Sequence, residues 1–214
     1  SRVAWAAARN GDLDIAVKAV GGTGEVEYLL EAEGTQSPSS WSPDGKSLLY
    51  YNLHPENSWD INVLPLEGDR TPRALVATPF VELRSRFAPG GRWFAYESNE
   101  SGRFEIYVQA FPGPGGKWQI STAGGSEPQW GPNGRELFYL SPERRMMRVE
   151  VQTGESFEAG IPEPLFPVSL RPLTTNNRYL LSPDGERFLL LSSLVQDSTP
   201  PTTVVVNWTA ELGP

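Results

Sequence analysis

Trp41-Ser42-Pro43-Asp44-Gly45 returns three times along the chain, as Phe87-Ala88-Pro89-Gly90-Gly91, Trp130-Gly131-Pro132-Asn133-Gly134 and Leu181-Ser182-Pro183-Asp184-Gly185. A bulky residue, a small one, proline, a turn former and glycine spell a strand end followed by a tight turn. Proline fixes φ near −65°, and Asp/Asn-Gly accepts positive φ, so each copy predicts a hairpin corner. The prolines recur at intervals of 46, 43 and 51 residues. A period of about 40 to 50 residues belongs to solenoids, propellers and repeat arrays.

Around each corner the sequence alternates in the two-residue period of strands. Leu13, Ile15 and Val17 alternate with Asp14, Ala16 and Lys18, and Ser47 to Tyr51 and Trp93 to Glu97 are strongly apolar runs. The strand tally over the repeats is three, four, four, four and three. Four antiparallel strands per repeat of about 43 residues is the pattern of a propeller blade. The expectation is an all-β, five-bladed β-propeller of four-stranded antiparallel blades, spanning 1–34, 35–80, 81–124, 125–170 and 171–214 in a single domain. The first blade lacks the strand that precedes the proline turn elsewhere, and the last lacks its outer strand. Each missing strand opens an edge, which the segment Ala210 to Pro214, a rearranged closure or a second copy of the chain would cover.

The 21 glycines and 20 prolines are spread as turn punctuation, and 11% aromatic residues supply large surfaces for burial. A net charge of −8 opposes a nucleic-acid partner, since phosphate binding needs a basic face; Arg144, Arg145 and Arg148 form the one short basic cluster, read as a solvated loop and strand end. The absence of cysteine excludes disulfides, thiolate metal sites and a cysteine nucleophile, and leaves the compartment open. No apolar run approaches the roughly 18 residues of a membrane span, so direct membrane insertion is not expected.

Chemistry-bearing motifs are sparse. His54, the single histidine, falls in a loop near Glu56 and Asp60, and one isolated loop histidine is a poor basis for a zinc site or a triad. Gly154-Glu155-Ser156-Phe157-Glu158 fails the nucleophile elbow at its last position. Asn10, Asp12 and Asp14 have the alternate spacing of a calcium loop but no closing glutamate, and are read as a capped turn. Propellers bind ligands at the funnel mouth, where the inner strands start and the loops between second and third strands gather. This topology nominates Gln36, Glu82, Arg84, Glu127, Asn177 and Arg178, with His54, Glu56, Asn99, Glu100 and Arg144 around them. Two functions follow. One is a non-catalytic module that binds a protein or small molecule and requires no cofactor. The other is a promiscuous hydrolase using the funnel carboxylates and a divalent metal in the channel, with Glu82, Glu127 and His54 as candidate ligands. Mutual pairing of these carboxylates and guanidinia around the channel is the plain structural alternative to either.

At Pro43-Asp44-Gly45-Lys46 and Ser182-Pro183-Asp184-Gly185 the chain resembles the TolB-like propellers, relatives in shape of WD-repeat proteins; Glu105-Ile106-Tyr107-Val108 shares that likeness. Gly90 stands where the pattern has Asp, and Gly131 and Asn133 also depart from it. The ending Val204-Val205-Val206-Asn207-Trp208-Thr209 is similar to that of propellers appended to bacterial receptor-type serine/threonine kinases. The resemblance implies a bacterial sensory or interaction module, periplasmic or otherwise extracytoplasmic, cut from a longer protein. A kinase domain is not part of this sequence: it has no glycine-rich phosphate loop, His-Arg-Asp or Asp-Phe-Gly.

Overall fold

The computed structural model describes residues 1–9, 11–22, 24–54, 58–113, 115–170, 177–192 and 203–206. The first repeat holds β1 (Arg2–Arg9), β2 (Asp12–Ala19) and β3 (Glu27–Leu30). The second holds β4 (Thr35–Trp41), β5 (Ser47–His54), β6 (Ser58–Pro65) and β7 (Arg73–Val76). The third holds β8 (Glu82–Phe87), β9 (Trp93–Ser98), β10 (Glu105–Ala110) and β11 (Lys117–Gln119). The fourth holds β12 (Ser126–Trp130), β13 (Glu136–Leu140), β14 (Arg145–Thr153), β15 (Phe157–Ala159) and β16 (Glu163–Pro167), and the fifth β17 (Tyr179–Leu181), β18 (Arg187–Leu190) and β19 (Thr203–Val206). Within each repeat neighbouring strands pair antiparallel. A single parallel bridge, Leu13 to Thr35, joins the first two repeats.

The first repeat does begin without the strand that leads into a proline turn, as expected. The fourth differs from expectation at its outer side. Strand β14 extends beyond Met147 to Val151 in both directions and so carries two partners, β15 at one end and β16 at the other. The extra hairpin is anchored by Phe157, which is buried among Trp93, Trp118 and Trp130. Among the described residues no strand pairing joins the fifth repeat to the first, and the expected cover, Ala210 to Pro214, lies outside the described residues.

Strand periodicity places the core between sheets. On β13, Leu137 and Tyr139 pack toward the third repeat with Trp93, Ile106 and Trp130, whereas Phe138 and Leu140 pack toward the fifth with Tyr179 and Phe188. On β5, Leu48 and Tyr50 join Ile15 of the first repeat, while Leu49 joins Phe87 and Phe94 of the third. Both faces of a middle strand are therefore buried, which explains why these strands read as unbroken apolar runs. Each fully buried Leu or Phe contributes roughly 1.5–3 kcal/mol.

The corner motif has a second function in packing. Ser42 donates to the Asp44 carboxylate at 2.6 Å, which also accepts the Lys46 amide at 3.0 Å, while Ser42 Oγ accepts the Ser47 amide at 2.9 Å. Ser182 and Asp184 repeat this pattern with the Glu186 and Arg187 amides, and Asn133 accepts the Arg135 amide at 2.8 Å. The glycine that follows has φ of 72°, 72°, 69° and 80° at Gly45, Gly91, Gly134 and Gly185. A Cβ at Gly91, Gly134 or Gly185 would meet the proline of the preceding turn at 3.4, 3.6 or 2.9 Å, on Pro43, Pro89 and Pro132 respectively. Gly45 faces nothing within 4 Å. The motif thus fixes both its own corner and the distance to its neighbour.

Two outcomes follow for stability. Gly45→Ala carries only the left-handed backbone cost of about 1 kcal/mol, whereas Gly185→Ala adds the collision with Pro132 and lowers the urea midpoint further. The Ser42 and Ser182 hydroxyls, with the following amides, hold the Asp44 and Asp184 carboxyls below the usual range. Their contribution is present above the unfolded pKa and is lost as pH falls through the lower folded value. Asn keeps the backbone hydrogen bond, as Asn133 demonstrates, but does not titrate. A Asp44→Asn, Asp184→Asn double variant is therefore expected to show a shallower loss of stability below about pH 4 in acid titration monitored by circular dichroism.

Candidate functional site

The position five residues before each turn proline is Pro38, Arg84, Glu127 or Arg178. In β8 and β12 it lies in a bulge, with Arg84 at φ 52° and Glu127 at φ 59°; the pairing slips between Leu83 and Arg86 and between Ser126 and Gln129. The left-handed turn breaks the alternation of side chains and re-aims these two residues. In β4 the pairing slips between Pro38 and Ser40.

These bulges build a continuous polar chain across three sheets. Arg84 pairs with Glu97, at the end of the otherwise apolar strand β9. The other Glu97 oxygen accepts the Glu127 amide at 3.0 Å. Glu127 in turn accepts the Arg178 amide at 2.6 Å and its Nε at 2.5 Å, and Tyr179 donates its hydroxyl to the Glu127 carbonyl at 2.8 Å. Glu97 and Glu127 are each 1% exposed, so only this pairing makes their charge tolerable. Burial raises the Glu97 carboxyl, and the Arg84 guanidinium opposes that shift. Glu97 escaped the sequence reading; its signal is an acid closing a strand that is apolar elsewhere.

Glu82 stands apart from this chain. It is fully buried, accepts from Thr78 at 2.5 Å and Ser98 at 3.3 Å through one oxygen, and its second oxygen has no hydrogen-bond partner among the described residues. Burial pushes its carboxyl above the usual range, although the Thr78 and Ser98 hydroxyls pull the other way. Gln36, the matching residue of the second repeat, is buried and donates to the Glu33 carbonyl at 3.0 Å and Asn52 Oδ1 at 3.2 Å. It secures the entry to β4. Asn99 accepts the Val81 amide at 2.9 Å, and Glu100 pairs with Lys117 at 2.6 Å. Asp14 accepts the Ala32 amide at 3.4 Å, and Glu105 the Gly124 amide at 2.9 Å; these buried acids hold the loops into the next repeat. Glu56 and the side chain of His54 lie outside the described residues. Among the described residues no group of three or more His, Cys, Asp or Glu is placed to hold a metal ion.

Two cavities open among the nominated residues. The first, about 370 Å³, lies between β1, β4 and β8 and is lined by Trp5, Pro38, Tyr51, Arg84, Arg86 and Asn177 among others. Arg86 donates to the Ser39 carbonyl, and burial lowers its pKa. The second, about 540 Å³, lies among the third, fourth and fifth repeats, with Arg144 and Arg178 in its wall. The nominated residues therefore divide into those lining the first cavity (Arg84, Asn177), those lining the second (Arg144, Arg178), the buried Gln36, Glu82 and Glu127, and Asn99 and Glu100, which are held by Val81 and Lys117.

No protein-family model and no curated protein matches the sequence. Solved structures do. TolB from Acinetobacter baumannii superposes with a TM-score of 0.66 at 20% identity, over 90% of this chain and 46% of that one. A protein assigned as TolB from Agrobacterium tumefaciens gives 0.59 at 20% identity, over 72% of this chain and 58% of that one. A puromycin-hydrolyzing peptidase from Mycobacterium tuberculosis gives 0.61 at 20% identity, over 89% and 35%. The chain spans about half the length of the two TolB chains. Likeness at this identity speaks for architecture, and with the antiparallel sheets stacked face to face it identifies the chain as an all-β propeller of the TolB-like fold.

Proposed function

We propose that the chain is a non-catalytic binding module whose ligand or protein partner docks at the funnel mouth, over the cavity between β1, β4 and β8. The observation that carries this reading is the pairing of the mouth's carboxylates. Glu97 and Glu127 are consumed by Arg84, Arg178 and a backbone amide, so neither stands ready as a base, while the cavity wall presents Arg84, Asn177, Trp5 and Tyr51 as a mixed aromatic and polar recognition surface. A five-bladed ring and a bacterial, kinase-linked sensory parent, with this module outside the membrane, complete the proposal. They rest on the repeat period and on the resemblance of the chain's ending.

Site-specific photocrosslinking in cells tests it. A benzophenone amino acid at Ser37, in the channel wall, is expected to yield a discrete adduct that Asn177→Ala weakens; the same probe at Arg73, on the outer strand β7, yields none. Equal adducts from both positions, or none from Ser37, would overturn the reading.

A hydrolase is the second reading, and Glu82 favours it: a buried carboxyl with a raised pKa and one unpartnered oxygen is the kind of group that active sites tune. Because the folded pKa lies above the unfolded one, its stabilising contribution is complete below the unfolded value and is lost as pH rises through the folded value. Glu82→Gln keeps an acceptor for Thr78 and does not titrate. It is expected to remain folded and to flatten the loss of stability as pH rises above the ordinary glutamate range, measured by urea denaturation at a series of pH values. Any hydrolytic activity that survives both this substitution and a chelator excludes Glu82 and a metal from catalysis.

A further inference from the structure

The side cavity has chemistry that the channel lacks. Arg103, Arg144 and Arg178 stand in its wall, in a chain whose net charge is −8. Two of the three are engaged: Arg103 with Glu105 at 2.8 Å and the Thr122 carbonyl at 2.5 Å, and Arg178 with Glu127. Arg144 is exposed and, among the described residues, its guanidinium has neither an ion pair nor a hydrogen bond. Phe104, 39% exposed, together with Leu140, Val168 and Leu170 gives the same cavity an apolar side.

The backbone at Arg144 adds a second, independent observation. Its amide donates to the Ser141 carbonyl at 3.0 Å and its φ is 58°. In the third repeat the same turn is closed by Gly102, whose amide donates to the Asn99 carbonyl at 2.9 Å with φ 92°. The fourth repeat thus has arginine in a left-handed position that its neighbour gives to glycine. Packing does not explain the exchange, because the Arg144 side chain is exposed. Strained, uncompensated residues of this kind mark ligand sites.

We propose that this cavity binds a peptide carboxylate adjoining an aliphatic side chain, with Arg144 forming the charged contact and Phe104, Val168 and Leu170 receiving the apolar group. Guanidinium forks match a carboxylate in two parallel hydrogen bonds, and a cavity of about 540 Å³ accommodates a ligand of small-molecule size. The inference builds on the binding reading above but uses a separate site, so the channel crosslink and the test below can fail independently.

The test titrates the full chain with N-acetyl-leucyl-leucine, its C-terminal amide, acetyl-Leu-Glu-Leu-amide and inorganic phosphate, following arginine Nε–H and the Gly124 and Gly125 amide resonances by NMR. The free acid is expected to bind and shift the Arg144 signal, and the amide to bind at least tenfold more weakly. Binding of the Leu-Glu-Leu amide as tight as that of the free acid assigns the site to acidic side chains; weaker binding assigns it to chain termini, and both support the proposal. Arg144→Gln is expected to reduce affinity about tenfold or more at unchanged melting temperature. Arg144→Gly is expected to lose the same affinity while raising the melting temperature, because it restores the residue the turn favours. Equal binding of acid and amide, phosphate binding as tight as the free acid, no binding by either carboxylate peptide at millimolar concentration, or undiminished affinity in Arg144→Gly would each overturn it.

Discussion

Gly91, Gly134 and Gly185 each face the proline of the turn before them, and this close approach accompanies the sheet-to-sheet interfaces from the second repeat to the fifth. Pro43 meets Gly91, Pro89 meets Gly134 and Pro132 meets Gly185. With the turns fixed at this separation, the alternating residues of β5, β9 and β13 can fill the space to each side. The second, third and fourth repeats each contribute to two cores, and the first and fifth to one each. Stability in such an array is a sum of nearest-neighbour terms, so the same substitution weighs differently by position along the stack. Gly45 faces nothing within 4 Å, so its replacement carries the backbone cost alone.

The architecture was legible because this contact needs particular residues at a fixed spacing. Proline supplies the rigid ring and glycine the positive φ, and at Gly185 also the missing Cβ, which would stand 2.9 Å from Pro132. What failed to show was β15: three residues carry no periodicity, and Phe157 is placed by aromatic partners from three other strands. The funnel-mouth candidates were nominated from strand order, as residues at inner-strand starts and in the loops between second and third strands. Their partners were not. A bulge at Arg84 and at Glu127 overrides the two-residue alternation, so the sequence names the residue but not the direction it faces. Glu97 is decisive for the site, and no motif marks it.

The polar chain from Arg84 to Arg178 places two nearly inaccessible carboxylates between sheets. Removing such charges from water costs several kcal/mol each, and hydrophobic residues of similar volume would serve stability as well or better. Its effect is geometric: Glu127 holds both the amide and the guanidinium of Arg178, so the start of the fifth repeat is registered against the fourth. A rim held this way can present side chains at fixed positions. The bulges that break strand alternation are thus part of what registers the third, fourth and fifth repeats against one another.

The same logic separates the residues that maintain this rim from those available to a ligand. A charge fully engaged by protein partners has little left to offer; Glu127 and Glu97 are in that state, and Gln36 supports a loop. Arg144 is the converse: exposed, left-handed where a glycine would be at ease, and positive beside an apolar wall in an acidic chain. Folding gains nothing evident from that arrangement. In a repeat protein each position can be compared with its equivalents a sheet away, and that internal comparison turns an unremarkable surface arginine into a departure from the local rule. The rule is set by the left-handed backbone of the turn, since Gly102 faces open space, so the departure points to what the turn does not require.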